Sequence, residues 1–150
     1  MRLLRAYPVH LLKDRLNVSK VTIFTDGAAR GNPGPAAIGA VIKDEKGNPV
    51  ASISRSIGQT TNNQAEYRAI IAALEKAIGL GAREVIVYSD SELVVRQING
   101  RYKIKNTALR PLYQEVVRLC GALESFRIAA IPREQNAAAD ALANKALDGN

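Results

Sequence analysis

Four carboxylates, Asp26, Glu66, Asp90 and Asp140, stand where the chain changes from one kind of element to another. Asp26 ends the apolar run Val21-Thr22-Ile23-Phe24-Thr25 and precedes Gly27, and Asp90 closes a segment that begins Val85-Ile86-Val87-Tyr88. Glu66 opens a helix after Thr60-Thr61-Asn62-Asn63, and Asp140 lies on the last helix, in Asn136-Ala137-Ala138-Ala139-Asp140. Acids at strand ends and helix starts can converge on one point although they are far apart in sequence. Hard cations such as Mg²⁺ need a cluster of oxygen ligands and usually keep several waters beside one or two carboxylates. Two such ions can flank a scissile phosphodiester, one activating the attacking water and the other stabilising the leaving oxygen. The set predicts a metal-dependent nuclease.

Each acid alone also has a purely structural reading. Asp26-Gly27 after a strand is a common hairpin turn. Asn63 followed three residues later by Glu66 fits a capping box, and Asp90-Ser91 fits a helix N-cap. Asp140 in an alanine-rich helix could be a solvated position. Their neighbours tip the balance. The chain reads Asp26-Gly27-Ala28-Ala29-Arg30-Gly31-Asn32-Pro33-Gly34-Pro35, then Thr60-Thr61-Asn62-Asn63-Gln64-Ala65-Glu66, then Ser89-Asp90-Ser91, then Pro132-Arg133-Glu134-Gln135-Asn136 up to Asp140. In order and spacing, over residues 21–147, this resembles the type 1 ribonuclease H family, which cuts the RNA strand of RNA–DNA hybrids.

The resemblance implies a fold, a reaction and a set of roles. The fold is α/β, a ribonuclease H-like five-stranded mixed sheet in order 3-2-1-4-5 with helices on both faces, its first and fourth strands parallel neighbours. The reaction is endonucleolytic hydrolysis giving 5′-phosphate and 3′-hydroxyl ends. It uses two Mg²⁺ ions when substrate is bound, with Mn²⁺ as a substitute. Asp26 would bridge the metals, Glu66 would hold the one that activates water, and Asp90 and Asp140 would complete the ligand set. Asn32, Asn62, Asn63 and the backbone near Gly27 would read the minor groove and the 2′-hydroxyls, which distinguish RNA from DNA. Thr61 would touch a phosphate of the DNA strand. The partner is an RNA–DNA hybrid, with double-stranded RNA a second candidate, and a monomer is expected. Another nuclease of the same superfamily, or a catalytically silent hybrid-binding module, is the alternative reading.

Three positions depart from the family pattern. Glu92 follows Asp90-Ser91 where many members carry Gln. The segment from Asn99 to Thr107 is too short for the helical basic protrusion of some members, and Arg101, Lys103 and Lys105 stand in its place. The loop before Asp140 lacks the usual His; Arg133 holds a comparable position, and the one histidine is His10.

Hydrophobic periodicity supplies the elements that must hold these residues. Val21–Thr25 reads as a strand, with Ala36–Lys43 and Val50–Ser56 forming a meander through Lys46-Gly47-Asn48-Pro49. Gln64–Ile78 is a helix with Tyr67, Ile70, Ile71, Leu74 and Ile78 on one face, ended by Gly79 and Gly81. Glu84–Tyr88 is a buried strand and Ser91–Asn99 a short helix. Thr107–Leu123 is a helix presenting Leu109, Leu112, Val116, Leu119 and Leu123. Phe126–Ile131 and Asn136–Leu147 are the last strand and helix. Three strands followed by alternating strands and helices predict a mixed sheet covered by helices.

Composition and charge set the remaining bounds. A chain of 150 residues, 47% of them hydrophobic, suits one domain with a substantial core. No apolar run approaches the roughly 18 residues of a membrane span. The single cysteine, Cys120, excludes an internal disulfide framework and suits a reducing cytoplasm. Of the net charge of +7, residues 1–20 carry +4, and this basic extension precedes the expected catalytic domain at 21–147 and a short tail at 148–150. From Leu93 to Gln114 there is no acid, while Arg96, Arg101, Lys103, Lys105 and Arg110 accumulate. Such a stripe is the electrostatic footprint of nucleic-acid binding.

Overall fold

Alternation of Val21 and Ile23 with Thr22 and Phe24 makes a strand, and in the computed structural model, which describes residues 17–149, that strand is the centre of the sheet. The five strands are β1 (Lys20–Ala29), β2 (Gly34–Lys43), β3 (Pro49–Thr60), β4 (Glu84–Ser89) and β5 (Ser125–Ala130). The helices are α1 (Asn62–Gly79), α2 (Glu92–Ile98), α3 (Arg110–Cys120) and α4 (Ala137–Leu147). Sheet order is β3-β2-β1-β4-β5, with β1–β2 and β2–β3 antiparallel and β1–β4 and β4–β5 parallel. The expected fold class is the one observed. Residues 1–16, which include most of the basic extension and His10, lie outside the described residues. Val18 already packs in the core and Lys20 pairs with Glu84.

Two glycines show why helices can cover both faces. Residues paired across adjacent strands share a face, and successive residues alternate. A Cβ on Gly27 would lie 2.2 Å from the backbone of Ala65 in α1. A Cβ on Gly39 would lie 2.2 Å from the Ala139 carbonyl oxygen in α4. Gly39 pairs with Asp26, and Gly27 with Ile38. So α1 lies against the Gly27 face, α4 against the face carrying Asp26, and both approach closely because no side chain intervenes. The helix α3 packs outside α1. That second layer explains why Ala65, Ala69, Ala72, Ala73 and Ala77 are buried together with Tyr67, Ile70 and Leu74. Periodicity alone predicts a narrower apolar face. Tyr67, fully buried, donates its hydroxyl to Oε1 of buried Gln97 at 2.7 Å, joining α1 to α2. Among the described residues, no helix is long and apolar enough to cross a membrane.

The structure corrects several boundaries. Asp26-Gly27 is no hairpin turn: β1 runs on to Ala29, and its turn to β2 falls at Arg30–Pro33. There, Gly31 takes a φ of +98°, a left-handed conformation that glycine adopts without Cβ strain. The helix α1 begins at Asn62, and its N-cap is Thr61, whose hydroxyl accepts from the Gln64 N–H at 3.3 Å, not Asn63. Ser91 caps α2, accepting from the Val94 N–H at 3.4 Å. The helix expected from Thr107 begins only at Arg110, where Pro111 occupies its first turn, a position at which the missing N–H costs nothing. It ends at Cys120, and Cys120 packs partly buried against the core.

Candidate active site

The parallel pairing of β1 and β4 sets the floor of the site. Thr25 pairs with Ser89, so Asp26 and Asp90 emerge side by side just beyond the last shared pair. Asp26 remains within β1, and Asp90 follows the end of β4. Glu66 arrives from the opposite face, on the first turns of α1. The close approach at Gly27 allows the Gly27 N–H to donate to Glu66 Oε1 at 2.8 Å. Carboxylate oxygens of Asp26, Glu66 and Asp90 lie within 4.8 Å of one another. Asp140, in the first turn of α4, stands outside that trio and borders the same cleft as Asp26. The four acids line one cleft of about 320 Å³ with Gly27, Ala28, Asn62 and Arg133.

Electrostatics in this cleft is unfavourable without a cation. Burial pushes the Asp26 carboxyl up to about 7, reinforced by the Asp90 and Asp140 charges and the hydrogen bond with Asp140, and offset in part by Arg133. Glu66 is held well above the ordinary carboxylate range, first by burial, then by Asp26 and Asp90, against the Gly27 N–H. Carboxylates forced together out of water cannot all ionise unless positive charge joins them. Hard oxygen donors from three elements, raised in this way, fit a hard divalent cation. Asp26, Glu66 and Asp90 could hold it directly, with Asp140 beside them.

The other residues singled out in the sequence divide into two groups. Asn62 lines the cleft and Asn32 stands behind it: Asn62 Oδ1 accepts from the Ala29 N–H at 2.8 Å, and Asn32 Oδ1 from the Asn62 N–H at 3.0 Å. Thr61 and Asn63 flank Asn62 at the start of α1. Arg133 Nη2 lies 3.9 Å from Asp140 Oδ1 with its side chain 80% exposed. Arg101, Lys103 and Lys105 are not among the cleft residues; they lie exposed on the loop between α2 and α3. Glu92 points to neither group: it pairs with Arg96 at 3.8 Å on the surface of α2.

One site residue escaped sequence reasoning. Asn136 is 1% exposed, and its Nδ2 donates to the Thr25 carbonyl at 2.9 Å and to Asp90 Oδ2 at 3.3 Å. The available signal was its place just before α4, where Asn ordinarily caps the helix; here the side chain makes no cap hydrogen bond.

Comparison with known proteins agrees with this geometry. A family profile described as reverse transcriptase-like matches residues 24–146. The bifunctional protein Rv2228c of Mycobacterium tuberculosis is 45% identical over 130 residues, 86% of this chain and 36% of that protein. Ribonuclease HI of Halobacterium salinarum is 43% identical over 129 residues, 86% of this chain and 65% of the relative. The crystal structure of RNase H1 from that organism superposes with a TM-score of 0.85, covering 87% of this chain and 99% of the other. The chain belongs to the type 1 ribonuclease H family. LC11-RNase H1, solved in complex with an RNA/DNA hybrid, is a further member of similar shape. It has a TM-score of 0.82 at 47% identity, over 86% of this chain and 97% of the other. This chain thus spans about a third of the mycobacterial relative's length and about two thirds of the halobacterial one's.

Proposed function

We propose that this ribonuclease H family member is a metal-dependent endonuclease that hydrolyses the RNA strand of RNA–DNA hybrids, leaving 5′-phosphate and 3′-hydroxyl ends. The observation that carries this reading is the convergence of Asp26, Glu66 and Asp90 within 4.8 Å. Residues 21–147 form the catalytic domain, and the basic residues of 1–20 add charge for a polyanion. Mg²⁺ is the expected cation and Mn²⁺ its substitute. Asp26, Glu66 and Asp90 would hold the cations through their carboxylate oxygens, and Asp140, which lines the same cleft, would complete the ligand set. Bound there, the cations would neutralise phosphate charge and make water a better nucleophile at neutral pH.

The chain's own residues position the substrate. Asn32 and Asn62 spend their oxygens on backbone N–H groups. Their amide nitrogens remain as donors for the RNA minor groove and its 2′-hydroxyls, with Asn63 beside them. Thr61 accepts the Gln64 N–H, which leaves its own hydroxyl proton for a DNA-strand phosphate. Arg133 steadies a phosphate at the mouth of the cleft. Arg101, Lys103 and Lys105, outside the cleft, follow the backbone of a longer duplex.

The test is cleavage of labelled RNA–DNA, RNA–RNA and DNA–DNA duplexes with and without Mg²⁺. Cleavage of the hybrid's RNA strand only when metal is present is expected. An intact hybrid in Mg²⁺ and in Mn²⁺, or scission of the DNA duplex, would overturn the reading; equal cutting of double-stranded RNA would remove the restriction to hybrids.

A further inference from the structure

Asn136 sits where the elements bearing three of the four acids meet. Its backbone is fixed on both sides: its N–H donates to the Arg133 carbonyl at 2.9 Å, and its carbonyl accepts from the Asp140 N–H at 3.1 Å. Its side-chain nitrogen reaches across to β1 and β4. One N–H of the amide meets the carbonyl of Thr25, the residue before Asp26, and the same nitrogen meets Oδ2 of Asp90. A single residue therefore touches Asp90 directly, the backbone next to Asp26, and the backbone of Asp140.

The cost of this arrangement argues that it is not incidental. Asn at a helix N-terminus usually gives its oxygen to the helix; here that bond is not made. The oxygen is instead buried without a partner among the described residues, as is the Thr25 hydroxyl, and an unsatisfied buried acceptor is destabilising. What is obtained in exchange is a donor that no carboxylate can supply. Asp at this position would set a fifth acid against Asp90 and lose both N–H groups. Ala would leave the Thr25 carbonyl without this donor and Asp90 free to rotate toward water.

We infer that Asn136 is a positioning residue that fixes the Asp90 carboxylate in register with Asp26 and Asp140, so that the cleft's affinity for divalent cation depends on it. This rests on the metal-dependent reading above. Groups that orient metal ligands commonly account for about 10–100-fold in metal affinity. The hydrogen bond acts on one ligand and touches no part of the substrate-binding surface, so the effect is on cation binding and turnover, not on hybrid KM.

The experiment is calorimetric titration of Mn²⁺ into metal-free protein for wild type, Asn136→Ala, Asp90→Asn and the double variant, with KM and kcat for hybrid cleavage measured alongside. If the wild type itself binds no Mn²⁺, the metal-dependent reading fails and this inference with it. If the wild type binds, Asn136→Ala is expected to weaken cation affinity about tenfold or more, with hybrid KM within twofold. In the Asp90→Asn background the same change is expected to cost less than threefold, because the group it orients has already been altered. Metal affinity within twofold of wild type, or an equal loss in both backgrounds, would overturn the positioning role while leaving the metal site standing. Should Asn136→Ala not fold, Asn136→Ser is judged by the same criteria. Failure of both to fold would make Asn136 a structural residue and overturn the inference.

Discussion

Replacing Asp26 by Asn removes a group on which burial and like charge bear directly, and the effect on stability grows with pH and shrinks with metal. In metal-free protein the carboxyl is pushed up from its ordinary value of 3.8 to about 7. Between those two values the native state keeps a proton that the unfolded chain has lost. Stability is therefore fully present below about pH 4 and is lost as pH rises through about 7, because there the native state binds more protons. At about 1.4 kcal/mol per pH unit, the interval corresponds to at most about 4 kcal/mol. Asp26→Asn keeps the shape of the side chain, abolishes this loss, and relieves one of the charges that raise Glu66. In chelator at pH 8 the variant should be more stable than wild type by about 2–4 kcal/mol, and at pH 4 the two should be nearly equal. Urea unfolding of both proteins across that range measures the difference. Saturating Mg²⁺ should narrow the gap at pH 8, since a ligand at a hundred times its Kd adds about 2.7 kcal/mol to the protein that binds it. A gap between the two proteins that is the same at pH 4 and pH 8 in chelator, or a wild type that is the more stable there, would show that its surroundings do not hold the Asp26 carboxyl up.

Three further outcomes follow from contacts around the site. Gly27→Ala places a Cβ 2.2 Å from Ala65 and 2.4 Å from the Glu66 nitrogen, all backbone. It should cost about 3 kcal/mol or more and abolish cleavage; a loss below about 1 kcal/mol in denaturant unfolding would show that α1 is not held so close. Tyr67→Phe strands the buried Gln97 oxygen and should cost about 1–3 kcal/mol. Turnover should be unchanged, since the pair lies outside the cleft, and a large fall in kcat would contradict that. Replacing Arg101, Lys103 and Lys105 by Ala should leave kcat intact, raise hybrid KM and flatten its salt dependence. The log–log slope should fall by about one unit for each phosphate that the loop no longer neutralises. An unchanged slope would mean that this loop touches no phosphate.

The acids were legible because their residue types and immediate neighbours are local. Asp26-Gly27, the Thr60–Glu66 segment and Asp90-Ser91 each combine an acid with the small or polar residues that must surround it. Strand order followed from the family resemblance, and the periodicity located every element. What could not be read was the effect of one layer on another. Asp26-Gly27 has the composition of a turn, yet helices on both faces bury it and β1 continues through it. Thr61, not Asn63, caps α1, while the neighbouring Asn62 side chain accepts from the Ala29 N–H of β1. The helix α1 buries alanines on a second side only because α3 covers it. Asn136 lies four residues before Asp140 in a plain alanine-rich context, and nothing local indicates that its amide turns away from its own helix toward Thr25 and Asp90. The basic loop at Arg101, Lys103 and Lys105 was legible as charge, whereas its separation from the acid cleft depends on how α2 and α3 are placed.

The central claim, that the carboxylate cluster performs the cleavage rather than merely binding hybrid, is tested most directly by one variant. Asp90→Asn preserves size and shape and removes one of the three acids that lie within 4.8 Å of one another. Cleavage rate and hybrid Kd are to be measured on the same preparation in Mg²⁺. A Kd close to that of wild type is expected, with a rate reduced by about a thousandfold or more, since the charge at the reacting phosphate is what the site is arranged to neutralise. A folded Asp90→Asn protein that cuts hybrid within tenfold of the wild-type rate would contradict the claim.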